Sequence, residues 1–274
     1  MAPGFGDNLA RRVATALIGL PAILLALFLG PPSLAVGLVA AAVAIGLVEF
    51  FRLLRARDIR PLRGTGFAVA AALFLDVVSP GWYGAPVWPL VALLLLTVTL
   101  HRAATLADTV PAAAATLLGA TYLGALGGTI GALRILSPVA EGAWRMVLLL
   151  AIIMAADTAA FFVGHAFGRR PLASRVSPGK TVEGAIGGVL GGVAGALAVR
   201  ALGLPSLPFA HAAALGVGVA VLGIVGDLVE SLIKRWAGVK DSGALFPGHG
   251  GMLDRIDSLL FGAPVLYYYF LYFR

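Results

Sequence analysis

Residues 209–235 read FAHAAALGVGVAVLGIVGDLVESLIKR, and this stretch decides the fold class. Apart from His211, nothing ionisable interrupts it before Asp227. About 20 mainly apolar residues suffice to cross the roughly 30 Å hydrocarbon core of a bilayer. The reading is therefore a membrane span over 209–233, with an unusual end. Asp227, Glu230, Ser231 and Lys234 stand at i, i+3, i+4 and i+7 and line one helical face, while Leu228, Val229, Leu232 and Ile233 take the others. An ionisable group at the bilayer centre costs about 2.5–3.5 kcal/mol on insertion scales, so this stripe must face protein or water. A Glu230–Lys234 pair that merely ends the helix is the plain structural alternative. It leaves Asp227 without a reason.

Working outward, similar apolar runs occupy 13–30, 34–50, 66–79, 87–100, 111–135, 145–168, 184–203 and 256–273. Gly30-Pro31-Pro32, Ser79-Pro80-Gly81, Ser137-Pro138 and Leu204 to Pro208 punctuate the gaps. The first run, behind Arg11 and Arg12, has the outline of a signal peptide. No small-residue cleavage site follows it and more spans come after, so it is read as a helix. The expectation is an all-α polytopic integral membrane protein with about nine transmembrane helices and a cytoplasmic N-terminus. Residues 1–143 form a helical membrane scaffold. Residues 144–274 form a catalytic region with cytoplasmic loops 169–183 and 234–255.

Composition agrees. Of 274 residues, 60% are apolar and 12% charged, against about 45–50% and about 25% in soluble domains. Mean hydropathy is +0.97. A soluble globular domain, a disordered chain and a disulfide scaffold are excluded, and the absence of cysteine removes thiolate metal sites. A net charge of +7 would suit nucleic acid, but the basic residues are not scattered. With the N-terminus inside, sixteen of the 20 fall in inner segments: Arg11 and Arg12; the five arginines from Arg52 to Arg63; Arg102; Arg169 to Lys180; and Lys234 to Arg255. No nucleic-acid partner is needed. The run Tyr267 to Phe273 then sits at the outer interface as an aromatic belt. Glycines at 184, 188 and 192 and at 187, 191 and 195 are read as close helix packing in lipid, and lone His101 and His211 as structural.

Chemistry concentrates in the last third. Lys240-Asp241-Ser242-Gly243, Pro247-Gly248-His249-Gly250-Gly251 and Asp254-Arg255-Ile256-Asp257 follow the stripe within a few turns. Glycines let backbone N–H groups cradle an anion, Lys240 and Arg255 can neutralise phosphate, and carboxylate oxygens suit a magnesium ion that bridges to substrate phosphates. Upstream, Ser177-Pro178-Gly179-Lys180-Thr181 with Glu183 imitates the end of a P-loop. The required glycine is replaced by Ser174, so a P-loop is rejected, and Lys180 and Thr181 remain phosphate or nucleotide contacts. Asp157 heads a third group with Phe161, Gly164 and Gly168 on one stripe; a packing seam is its plain alternative.

These residues resemble the signature of the phosphatidate cytidylyltransferases. Ser231, Lys234, Arg235, Lys240, Asp241, Gly243, Pro247 to Gly251, Asp254, Arg255 and Asp257 fill its fixed positions, and the region from Asp157 to Gly184 is similar to an upstream family motif. Phe161, His165 and Arg169 stand where the family pattern has tyrosine, arginine and, commonly, lysine. The resemblance implies transfer of a cytidylyl group from CTP to phosphatidate, giving CDP-diacylglycerol and pyrophosphate. It implies Mg2+, with a second cation left open, held by Asp227 and Asp254 with Asp257. Asp227, Lys240, Asp241, His249, Asp254 and Arg255 would be catalytic. Ser177, Lys180, Thr181, Glu183, Ser231, Lys234, Arg235, Gly250 and Gly251 would bind substrate.

Rival readings are a CTP-dependent lipid-alcohol kinase or a metal-dependent alcohol phosphotransferase, and a cation-coupled transporter. An alcohol phosphotransferase would carry Asp-Gly-x-x-Ala-Arg, which is absent. A cation-coupled transporter would use Asp157, Asp227 and Glu230 as relays near the midplane, whereas the acids gather with Gly-His-Gly-Gly at one face. The expected partners are CTP, phosphatidate and membrane lipids. The expected location is a bacterial inner membrane with the site facing the cytoplasm, and a homodimer is among the open assemblies.

Overall fold

A computed structural model describes residues 19–79, 87–102, 105–245 and 250–273. The expectations placed on Arg11, Arg12, Pro247, Gly248 and His249 lie outside these residues. The described elements are α1 (Gly19–Leu29), α2 (Pro32–Arg55), α3 (Arg63–Val78), α4 (Val87–Arg102), α5 (Leu106–Gly119), α6 (Leu126–Ile135), α7 (Gly142–Phe167), α8 (Val182–Gly203), α9 (Phe209–Ala237) and α10 (Leu253–Tyr272). A six-residue π-helical turn, Ala120–Ala125, joins α5 to α6 into one long run.

The helical membrane character holds, and among the described residues five helices stand against the nine spans expected. Five described helices are long and apolar enough to cross: Pro32–Arg55, Leu106–Ile135, Val139–Phe167, Val182–Gly203 and Phe209–Ala237. Helices α3 and α4 have 16 residues each. At 1.5 Å per residue they reach about 24 Å, short of the roughly 30 Å core. Helix α10 is long enough, but Asp254, Arg255 and Asp257 crowd its first turns and tyrosines its last. The fold is also not wholly helical. Strands β1 (Pro171–Ala173) and β2 (Ser177–Thr181) pair antiparallel, Pro171 opposite Thr181 and Ala173 opposite Ser177. Pro171, Pro178 and Gly179 disfavour helix in this loop, and extended backbone is what remains.

The glycine stripes are packing surfaces, as read. Helix α8 lies between α7 and α9. A Cβ at Gly184 or Gly188 would press on the Ala160 or Ala156 carbonyl of α7, and one at Gly192 on Ala220 of α9. Gly216 of α9 returns the approach, facing the Val193 Cα. Without side chains between them the backbones close together, which is what drives association where lipid removes the hydrophobic effect between helices. Helix α10 packs on α9 and also on α6 and α2, joining the two halves of the chain. At the far end from the acidic stripe, fully buried Arg145 donates to Glu141 Oε2 at 2.8 Å and to the Leu136 carbonyl at 2.7 Å, and stacks over Phe270.

Candidate active site

Three basic segments converge where α9 ends. Arg57, after α2, donates to the Trp236 carbonyl at 2.5 Å, and Arg235 donates to the carbonyl of Val176 in the hairpin loop. Gly238, at φ +78°, closes α9 in the left-handed conformation that a residue lacking Cβ adopts without strain. Two ion-paired chains then run off the α9 stripe.

The first begins on β2. Lys180 reaches across to Asp227 and pairs with its Oδ2, while Ser231, one turn on, lies 3.3 Å from Oδ1. The hairpin is held in register by its own neighbours. Thr181 caps α8 by accepting from the Gly184 N–H at 3.1 Å, and Glu183 accepts from the Arg169 and Arg170 N–H groups at 3.0 and 3.1 Å. Thr181 and Glu183, expected to touch substrate, thus have structural duties that fix where Lys180 points. A cavity of about 510 Å3 opens beside this pair, lined by Asp157, Phe161, His165, Lys180, Thr181 and Asp227. The Phe161 and His165 rings stack at 10° with centroids 6.3 Å apart, on the stripe read from Asp157.

The second chain is buried. Lys234 pairs with Glu230 on its own helix and with Asp254 of α10, Nζ lying 2.5 Å from Oδ1. Glu230 is fully buried and Asp254 nearly so, so the one ammonium neutralises two carboxylates taken out of water. The other Asp254 oxygen accepts from the Ser242 N–H at 3.0 Å, the Ser242 hydroxyl at 2.8 Å and the Gly251 N–H at 2.8 Å. Asp254 lies just ahead of the apolar run of α10. Burial by itself would raise its carboxyl, but the Lys234 ammonium and the donors from Gly251 and Ser242 outweigh that and hold it at about 2. Gly250, at φ +77°, brings its backbone so close to Asp254 that a Cβ would fall 2.6 Å from Oδ2. The expected anion cradle at Gly250 and Gly251 is, in this structure, the seat of the Asp254 carboxylate.

Asp257 is buried, accepts from the Ser258 N–H, and lies within electrostatic range of Asp227, Asp157 and Lys234. Arg255 is exposed and in range of Asp157. Lys240 and Asp241 are exposed, without a polar partner among the described residues. The structure thus gathers Lys180, Asp227, Ser231, Lys234, Asp254, Asp257 and Arg255. It leaves Lys240 and Asp241 on an open loop and gives Arg235 a backbone-tethering contact.

The donor set was compared with what a divalent cation requires. Among the described residues no three His, Asp or Glu side chains form a ready metal cage, so Asp227, Asp254 and Asp257 are not a preformed three-carboxylate site. A carboxylate offers about four acceptor positions. Asp254 has three taken by Lys234 and the Ser242 and Gly251 N–H groups and shares the Ser242 hydroxyl with Glu49, whereas Asp227 uses two. Magnesium keeps waters and leans on one or two carboxylates plus substrate phosphates. The residues fit that mode at Asp227.

The model of the cytidylyltransferase family matches residues 10–273. The chain belongs to that family. A cytidylyltransferase is a nucleotidyltransferase, so the chain is an enzyme of nucleotidyl transfer. It is 34% identical to a phosphatidate cytidylyltransferase of Synechocystis over 94% of this chain and 95% of the relative. It is 46% identical to one from Brucella suis over 46% of each chain, and 43% identical to one from Bacillus subtilis over 43% of this chain and 44% of the relative. Within this cytidylyltransferase, one residue at the site was missed by reading the sequence. Glu49, in the last two turns of α2, ends an apolar run in the sequence, yet it lies among Ser242, Met252 and Leu253. No local spacing connects residues 193 to 204 positions apart.

Proposed function

We propose that the protein transfers the cytidylyl group of CTP to phosphatidate, forming CDP-diacylglycerol and pyrophosphate, at the cytoplasmic face of a bacterial inner membrane. The observation that carries this reading is the cavity at the Lys180–Asp227 pair, set where an apolar bundle meets three basic loops. The relatives named phosphatidate cytidylyltransferase support the substrates, and the positive-inside distribution of arginine and lysine supports the face. CTP is cytosolic and phosphatidate is held in the bilayer, so a site at that boundary receives both.

In the proposed reaction a phosphatidate oxygen attacks the α-phosphorus of CTP. A new phosphorus–oxygen bond forms, the bond to the β-phosphate bridging oxygen breaks, and pyrophosphate leaves with that electron pair. The nucleophile is already an anion, so no strong base is required, and catalysis rests on alignment and on screening of developing charge. Lys180, which lines the cavity, and Arg255, within electrostatic range of Asp157, would hold phosphate oxygens. By the family resemblance Lys240 and His249 would also hold phosphate oxygens. Asp227 would hold magnesium, with Asp254 and Asp257 as neighbouring carboxylates. Bound there, the ion would supply Lewis-acid polarisation of the phosphoryl oxygens and neutralise pyrophosphate. Lys234 keeps Asp254 in place, while Ser177 and Thr181 border the nucleotide side.

The test uses purified protein in detergent with phosphatidate, magnesium and α-labelled CTP, beside Asp254→Asn. Label is expected in lipid only when phosphatidate and metal are both present, and is expected to be lost in the variant. Folded wild-type protein that labels no lipid would overturn the reading.

A further inference from the structure

Glu49 belongs to the N-terminal half, where the sequence offered no chemistry. The residue is 3% exposed, and among the described residues no lysine or arginine pairs with it. What surrounds it is the loop that carries the candidate site. Its Oε1 accepts from the Met252 N–H at 3.1 Å and its Oε2 from the Leu253 N–H at 2.8 Å, so it caps the first turn of α10 from another helix. The start of a helix exposes unpaired N–H groups and a partial positive charge, which is where a buried carboxylate is best tolerated. Helix α10 has no cap of its own, since Met252 makes no side-chain bond there.

The same carboxylate reaches the Asp254 seat. The Ser242 hydroxyl lies 3.1 Å from Glu49 Oε2 and 2.8 Å from Asp254 Oδ2, its single proton serving one carboxylate at a time. Two glycines make room for this. A Cβ at Gly243 would fall within 3 Å of Glu49 Oε1, and one at Gly251 within 3 Å of both Glu49 Oε2 and Ser242 Oγ. Gly243 and Gly251, which look like phosphate-cradling glycines in the sequence, are spaces into which Glu49 fits.

We propose that Glu49 is a positioning residue for the reaction: from α2 it ties Ser242 to the first turn of α10 and, through Ser242, sets the orientation of Asp254. It touches neither substrate nor metal. The proposal rests on the reaction proposed above only for its kinetic readout.

The experiment compares wild type, Glu49→Gln, Glu49→Asp and Ser242→Ala as full-length protein in detergent. Two quantities are read: initial rates with CTP and phosphatidate, and amide hydrogen exchange at Ser242, Met252 and Leu253. Outer-sphere partners typically change activity by about 10- to 100-fold. Glu49→Gln is expected to lower kcat by that much with KM for both substrates within about twofold, and to speed exchange at the three amides while α7–α9 exchange as before. Glu49→Asp should recover part of both. A kcat within twofold of wild type with unchanged exchange would overturn the proposal. So would a raised KM at unchanged kcat, which would place Glu49 in substrate binding. If Glu49→Gln does not fold, Ser242→Ala decides. It removes the bridge and leaves the helix cap, so a fall in kcat supports the proposal and wild-type kinetics with wild-type exchange reject it. If wild type itself makes no labelled lipid, the reaction reading fails alone, and the exchange arm still decides whether Glu49 holds the loop.

Discussion

Lys234 on α9 and Asp254 on α10 meet with Nζ 2.5 Å from Oδ1, and the same ammonium pairs with Glu230. Two carboxylates therefore depend on one cation inside the protein. Removing one partner of a buried pair is costly because the charge left behind has lost both water and counter-ion, typically about 3–5 kcal/mol.

Lys234→Met is accordingly expected to destabilise the protein by about 3–5 kcal/mol. The measurement is the thermal midpoint in detergent. Adding Glu230→Gln to that variant should recover part of the loss, because it removes one of the two stranded charges. Equal midpoints for the single and double variants would show that Glu230 does not share the ammonium.

Asp227 has more acceptor capacity to spare than Asp254, whose oxygens meet Lys234, two N–H groups and the Ser242 hydroxyl. Asp227→Asn is therefore expected to raise the half-saturating magnesium concentration by at least about tenfold, the low end for loss of a supporting or ligating group. Rates measured across a magnesium titration decide it. An unchanged midpoint would move the metal away from Asp227.

Thr181 caps α8 with its hydroxyl and borders the cavity. Thr181→Ser keeps the oxygen, and both stability and activity should stay close to wild type. Thr181→Val removes the cap and should cost about 1 kcal/mol. Loss of activity in the serine variant would instead point to a role for the methyl group against Gly168, which it faces.

Gly216 faces the Val193 backbone, while Gly37 on α2 has open space where a side chain would go. Gly216→Val should overpack the α8–α9 seam by about 1–3 kcal/mol, and Gly37→Ala should be nearly silent. Detergent-extracted yield and thermal midpoints, compared between the two, test whether the glycine stripes close these helices.

The last third of the chain was readable because its information is local. The Asp227 to Lys234 stripe follows from helical spacing, and both i, i+4 partnerships along it, Asp227 with Ser231 and Glu230 with Lys234, are present in the structure. The small-residue repeats of α8 likewise announced close packing. Span number is less legible, because hydropathy marks an apolar run and not the length of helix that forms on it: α3 and α4 have 16 residues each. The β1–β2 hairpin was missed for a related reason, being a pairing of two segments neither of which alternates strongly.

By itself, the sequence determined that this protein lives in a membrane, which end of its helices carries charge, and which residue types gather there. Each of these depends on neighbours within a few turns, where transfer energies and helical geometry act without reference to the rest of the chain. Only the tertiary structure decided who pairs with whom: Lys180 with Asp227, Lys234 with Asp254, and Glu49 with a loop 193 to 204 residues away. A buried charge must find its counter-charge or donors wherever packing brings them, and that choice is made by how the helices stack, which no local pattern encodes.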